Sequence, residues 1–152
     1  MNYIFRNMWK TLFSFNLSKN SDPNFKLLQI LQINNNLIVD IRETEKGRKL
    51  KTGVSLLLPE INWFKKNLIG ENKVYILEHS SRIIKMDKKS ENLIITVSNS
   101  NKVKNIVIKN EEKQKMINNW DMIEKNINQI SNELNISTEF SNSSFVKEYI
   151  KE

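Results

Sequence analysis

The sequence predicts an α+β protein in which two ββββα repeats form antiparallel sheets with packed helices, as in a pseudo-dimer. Runs of alternating apolar and polar residues, typical of half-buried strands, recur along both halves of the chain. Apolar residues change to helical spacing after Pro59 and again after Asn110. Residues 35–41 also parallel residues 91–97, which indicates that one pattern is used twice. A chain of 152 residues suits two small halves that share a core.

The first half is assigned to residues 1–70, and its N-terminal segment has two interpretations. From Ile4 to Phe13, apolar residues recur at helical spacing among basic ones, and no acid precedes Asp22. A mitochondrial targeting segment has this character. Residues 12–17, however, alternate as in a strand, and only two basic residues fall in the helical stretch. We therefore favour a segment that packs on the fold.

The rest of the first half reads as a strand meander followed by a helix. Polar turns at 34–36 and around Gly47 separate three strands, which we predict at 27–33, 37–43 and 48–58. Pro59 and Glu60 then suit the first turn of a helix. That helix is expected to end at Gly70, and its apolar stripe consists of Ile61, Phe64 and Leu68.

The second half is assigned to residues 71–136 and repeats the order of strands and helix. Strands are predicted at 74–77, 82–86, 93–97 and 103–108, and Asn110 then caps one long helix. Apolar residues on that helix alternate spacings of four and three, which is a heptad seam. Such a seam packs on another helix, either the first helix of this chain or its twin in another chain. The seam is Met116, Trp120, Ile123, Ile127, Ile130 and Leu134.

Residues 137–152 are polar and rich in serine at first. Two interpretations remain for them. They form a loose tail, or Phe145 and Tyr149 pin a short helix to the core.

The balance of charge favours an anionic partner. Lys and Arg number 24 against 17 acids, which gives a formal charge of +7. Nucleic acid is the first candidate for such a partner, ahead of acidic membranes and acidic proteins. No apolar run approaches the roughly 20 residues that a membrane span needs.

Catalytic and metal-binding patterns are lacking in the sequence. There is no cysteine, which excludes disulfides, cysteine zinc sites and thiol catalysis. His79 is the only histidine, and the three glycines form no phosphate-binding loop. We therefore expect no enzyme activity, no cofactor and no metal site.

Basic residues on the predicted strands and turns are the candidate binding site. The strongest group lies on the Gly47 turn and the strand after it, and consists of Lys46, Arg48, Lys49 and Lys51. Cations so placed can contact several phosphates; the alternative is a solvated hairpin. A second group could extend the same groove or line a solvated sheet face, and consists of Arg82, Lys85, Lys102 and Lys104.

Residues 25–69 resemble the single-stranded DNA-binding domain of the transcriptional positive cofactor four family. The segment 36–43, Asn-Leu-Ile-Val-Asp-Ile-Arg-Glu, looks like the signature strand of that family. The segment 53–56, Gly-Val-Ser-Leu, with Pro59, Glu60 and Trp63, looks like its last strand and helix start. The basic stretch 46–51 between these segments resembles the basic loop of that family.

The resemblance implies a curved four-stranded sheet that grips single-stranded DNA and a helix that forms a dimer. A second repeat within the chain would replace the partner, an arrangement similar to PUR repeat proteins and Whirly-like folds. By position, Arg42 matches a DNA-contacting residue of the family, and its alternative is an ion pair with Asp40. Glu45 and Ile33 stand where the family carries a base-stacking Trp and Phe. Such stacking contributes about 1–3 kcal/mol per base, so weaker binding is implied.

Two functions follow as expectations. The first is a single-stranded DNA- or RNA-binding protein that acts in transcription, replication or RNA handling. The second is a protein-interaction or structural subunit that kept the fold and lost nucleic-acid binding. An intracellular location is expected, the nucleus by resemblance, with the mitochondrion or a viral or cytoplasmic site as alternatives.

Overall fold

The computed structural model describes residues 9–18 and 23–152 and confirms the α+β class. Four strands form the first antiparallel sheet in chain order: β1 (Trp9–Asn16), β2 (Lys26–Ile33), β3 (Asn36–Glu45) and β4 (Arg48–Leu57). Five strands form the second: β5 (Val74–His79), β6 (Arg82–Asp87), β7 (Leu93–Asn99), β8 (Lys102–Ile108) and β9 (Val146–Lys151). Their spatial order is β8-β7-β6-β5-β9, all antiparallel.

Three helices complete the part of the fold that the structure describes. A short 3₁₀ turn, Leu58–Glu60, follows β4 and leads into α1 (Ile61–Leu68). After β8 come α2 (Asn110–Asn118) and α3 (Trp120–Glu133). No helix among the described residues is long and apolar enough to cross a membrane.

Period-two alternation places the core side chains in rows across each sheet. Ile30 on β2, Val39 on β3 and Leu56 on β4 lie directly opposite one another and are fully buried. The second sheet has the matching row Met86, Ile95 and Ile106. Both rows belong to one core, and burying each such side chain contributes about 1.5–3 kcal/mol.

Helix α1 joins this core through the predicted stripe, Ile61, Phe64 and Leu68, which is buried. The Phe64 ring lies 5.8 Å from the Trp120 ring of α3, centroid to centroid. A buried lysine caps the end of α1. Nζ of Lys88 donates hydrogen bonds to the backbone carbonyls of Asn67, Leu68 and Gly70 at 2.7, 2.9 and 2.7 Å.

The prediction of one long second helix is wrong, because α2 and α3 are separate. The chain breaks at Asn119, whose φ of −111° and ψ of 11° leave the helical region. The side-chain amide Nδ2 of Asn119 donates to the backbone carbonyl of Lys115 at 2.8 Å. An asparagine side chain competes with the backbone for such carbonyls, and this bends or ends helices. The heptad spacing runs through the break and so conceals it.

The prediction for the C-terminal residues also requires correction. Residues 146–151 form β9, neither a loose tail nor a short helix, and β9 pairs along the outer edge of β5 with Tyr149 opposite Ile76. Phe145 is 84% exposed and therefore does not pin the segment. Phe140 does contact the core, with its ring 4.7 Å from that of His79. The open edge of β5 supplies the hydrogen-bonding groups that hold β9.

At the other end, the predicted strand at 12–17 is present as β1, with a bulge between Thr11 and Phe13. The helical spacing from Ile4 to Met8 lies outside the described residues.

Candidate nucleic-acid interface

Strands β4 and β8 are the edges at which the two sheets meet. They lie against each other. Leu50 of β4 shares a cleft of about 400 Å³ with Lys109, just after β8. Ser55 shares a cleft of about 280 Å³ with Lys102 and Lys104, at the start of β8. The two strands therefore run antiparallel along their line of contact.

Two chain segments along this line carry as many cations as the protein has in excess of acids, while Glu43, Glu45 and Glu112 line the cleft at the hairpin end. Residues 46–58 and 99–109, which we call the basic seam, contain seven cations and no acid. Removing these seven from the 24 Lys and Arg residues leaves 17, equal to the 17 Asp and Glu residues. All seven are exposed, and none forms an ion pair within the described part of the chain. They are Lys46, Arg48, Lys49, Lys51, Lys102, Lys104 and Lys109.

The β3–β4 hairpin carries four of these cations at one end of the basic seam. Lys46 and Gly47 have φ of 50° and 80°, as in the two-residue turns that match the twist of paired strands. Register then shifts, since Thr44 lies opposite Lys49 but Arg42 lies opposite Gly53. The extra residues on β4 form a bulge next to the exposed cations.

Arg42 stabilises this bulge from within and is not part of the exposed set. Its Nη1 donates to the carbonyls of Leu50 and Lys51 at 3.1 and 3.0 Å. Its Nε and Nη2 donate to the Asp40 carboxylate at 3.0 and 2.8 Å. The ion pair with Asp40, one of the two roles that the sequence left open, is therefore formed.

The Asp40 carboxylate is buried and accepts two further hydrogen bonds. Gln29 Nε2 and Ser55 Oγ donate to it at 3.0 and 2.8 Å. Burial acts to raise the pKa of Asp40, but the hydrogen bonds from Arg42, Gln29 and Ser55 outweigh burial and hold that pKa below its usual value.

Gly53 gives the Arg42 side chain room to fold across the sheet. A Cβ at Gly53 would lie 2.6 Å from the Ile41 carbonyl oxygen and 3.0 Å from Cζ of Arg42. Any larger residue there must displace backbone, so the shape of the hairpin depends on glycine at this position.

Arg82 is also held by a buried acid. Its Nε and Nη2 donate to the Glu60 carboxylate at 2.7 and 3.0 Å, and Nη2 donates to the Ser55 carbonyl at 2.5 Å. His79 Nε2 lies 2.5 Å from the same carboxylate, which also accepts the Leu57 amide at 2.7 Å. Glu60 thus joins the end of β4 to the β5–β6 hairpin.

A second buried acid makes the reciprocal connection. Glu112 accepts the Lys109 amide at 2.8 Å at the end of β8. It also lies 2.9 Å from Nζ of Lys26 and 2.8 Å from Oγ of Ser18, in the β1–β2 hairpin of the first sheet. Lys109, not Asn110, therefore occupies the cap position of α2.

The remaining predicted residues divide between surfaces. Lys85 is half-buried and faces away from the core on β6, opposite Ile76 and Thr96, so it lies apart from the basic seam. The predicted heptad seam lies mostly inside the chain. Its first four residues are buried in the core, Ile130 is partly buried, and Leu134 is 38% exposed. The four buried residues are Met116, Trp120, Ile123 and Ile127.

Three important residues escaped sequence reasoning. Lys109 lay outside the predicted groove because only the contact of β4 with β8 brings it to the hairpin. Glu60 was assigned to a helix start, and nothing local indicates that it binds Arg82. For Glu112, its place three residues after Lys109 is a capping signal that was available.

The chain matches no protein-family model and no curated protein sequence.

Proposed function

We propose that this chain binds single-stranded nucleic acid along the basic seam. The supporting observation is the concentration of the entire charge excess, seven exposed cations, on two adjacent strand segments. A flexible single strand can follow such a line with its phosphates, and each neutralised phosphate releases counterions. DNA and RNA share this chemistry.

We further propose that the chain is two ββββα units related by an internal pseudo-two-fold axis. Glu60 and Glu112 support this relation, because each accepts the amide three residues before it. Each also binds the first hairpin of the opposite sheet, through Arg82 and Lys26 respectively. The axis would place β4 beside β8, which explains why the cations of both units share one line.

The test is a fluorescence anisotropy titration of single-stranded oligonucleotides across a salt series. Binding should weaken with salt, with a slope of log K against log [salt] near −5 if all seven cations contact phosphates, since each contributes about −0.7. The variant Lys102→Gln with Lys104→Gln should make that slope shallower by about 1.4.

A matched control is Lys89→Gln with Lys125→Gln, which removes the same charge from exposed residues outside the basic seam. Its slope should remain that of the unaltered protein. An equal change in both variants would show that only net charge matters, and no binding at low salt would refute the proposal.

One observation favours a second candidate, a protein-interaction subunit. Neither segment of the basic seam contains an aromatic residue of its own, and Phe25 is the ring that lines the cleft of about 400 Å³ at its hairpin end. A basic strip without aromatics also suits an acidic protein surface. This function predicts that acidic polypeptides such as polyglutamate bind at least as tightly as an oligonucleotide of equal charge.

A further inference from the structure

The cleft of about 280 Å³ forms the end of the basic seam farthest from the hairpin. It lies between β4 and the adjoining ends of β6, β7 and β8. Its polar lining comprises Ser55, Arg82, Asn99, Lys102 and Lys104.

Strand register brings three of these side chains into one row. Arg82 lies directly opposite Asn99, and Asn99 lies directly opposite Lys102. Directly opposite residues share a face of the sheet, and neighbouring strands are about 4.8 Å apart. Lys104 follows Lys102 by two residues and so shares its face. Donors from three strands therefore converge on one small volume.

Arg82 is positioned for a ligand before any ligand binds. Its hydrogen bonds to Glu60 and to the Ser55 carbonyl fix the guanidinium plane. Nη1 makes no hydrogen bond with the described residues, and the side chain is 13% exposed. A fixed guanidinium with a free edge suits a phosphate oxygen.

The charge of the cleft distinguishes between kinds of phosphate. Glu60 offsets Arg82, which leaves the two positive charges of Lys102 and Lys104. A phosphodiester carries one negative charge, whereas a phosphate monoester carries about 1.5–2 at neutral pH. We propose that the cleft binds a terminal phosphate monoester of a nucleic-acid strand. This inference rests on the proposed function, because the basic seam leads the strand into the cleft.

The experiment compares three oligonucleotides of one sequence, with a 5′-phosphate, a 3′-phosphate or neither. One of the phosphorylated strands should bind about tenfold more tightly than the unphosphorylated strand, as expected for one added charge-assisted interaction. The end that gives the effect identifies the polarity of the bound strand. Equal dissociation constants for all three would overturn the proposal.

Two double variants separate the cleft from general charge. Lys102→Gln with Lys104→Gln should abolish the preference for the phosphorylated end. Lys46→Gln with Lys49→Gln removes equal charge at the hairpin, so it should weaken all three oligonucleotides and leave the preference intact. Loss of the preference in the hairpin variant, with the preference kept in the cleft variant, would contradict a phosphate site in the cleft.

A second measurement tests the cleft even if no oligonucleotide binds. Absence of oligonucleotide binding would refute the proposed function but would leave the phosphate site in the cleft to be tested separately. The side-chain amide of Asn99 is followed by NMR while a nucleoside monophosphate or the matching nucleoside is added. Saturable shifts with the monophosphate only would support a monoester site, and no shift would exclude it. A mononucleotide that binds as tightly as the phosphorylated strand would assign the cleft to free nucleotides and overturn the strand-end assignment.

Discussion

At the scale of single residues, Asp40 shows how a buried acid fixes a basic neighbour. Arg42 is one of the residues that a family resemblance assigns to DNA contact. Here its guanidinium is bound to Asp40 and to two carbonyls of β4. The sequence allowed either role, because both residues lie on one face of β3 and only the fold decides whether a ligand or the protein receives the donors.

We expect Asp40→Asn to destabilise the protein by about 3 kcal/mol at neutral pH, since it leaves Arg42 partly buried without its counter-charge. Urea denaturation measures this loss. The matched control is Glu148→Gln, which breaks the exposed Lys66–Glu148 pair and should cost less than about 1 kcal/mol. A similar loss in both variants would refute the buried role of Asp40.

The lowered pKa of Asp40 also predicts a pH dependence. Between the folded pKa and the usual value of 3.8, the unfolded chain binds more protons, so stability rises with pH there. The contribution is complete above the unfolded pKa and is lost as pH falls through the folded pKa. Asp40→Asn should therefore flatten the stability profile below about pH 4, as measured by denaturation at several acidic pH values.

At the scale of elements, two hairpins adopt the same positive-φ turn conformation with different residues. The β3–β4 turn uses Lys46 and Gly47, whereas the β5–β6 turn uses Ser80 and Ser81, with φ of 47° and 64°. A non-glycine residue in this region is strained by roughly 1–2 kcal/mol. The serine turn therefore stores strain that the glycine turn partly avoids.

Reciprocal substitutions should have opposite signs. Ser81→Gly should stabilise the protein by about 0.5 kcal/mol, because relief of strain exceeds the entropy that glycine costs. Gly47→Ser should destabilise it by about 1 kcal/mol through backbone strain alone, since nothing lies within 4 Å of a Cβ there. Thermal denaturation of both variants measures the two changes in stability. Changes of the same sign would contradict this account of backbone strain.

The elements also show how far sequence reasoning reaches. Alternation and turn residues located β2 to β8 and α1, because those signals are local. The break at Asn119 and the strand β9 were missed. A heptad pattern continues through a break of one residue, and β9 depends on an edge of β5 that lies about 70 residues away in the sequence.

At the scale of the whole molecule, the two sheets are held together by charges as well as by the core. Glu60 and Glu112 each connect one sheet to the opposite hairpin. The candidate site was predicted in part: six seam cations were named from the sequence. Lys109 and the bound state of Arg82 follow only from the way the sheets meet.

We expect the molecule to unfold as one cooperative unit. Glu60→Gln leaves Arg82 largely buried without its full counter-charge and should cost about 3–5 kcal/mol. Tryptophan fluorescence and far-UV circular dichroism should report coincident transitions, although Glu60 lies in the first half of the chain. Separate transitions for the two probes would mean that the sheets are independent.

The last strand of the chain has a practical consequence. β9 covers a row of amide and carbonyl groups on β5, yet five of its six side chains, from Lys147 to Lys151, are exposed and contribute little to the interior. Proteolytic removal of these few residues would expose the unpaired edge of β5 to strands of other molecules. Protein cleaved there should therefore aggregate.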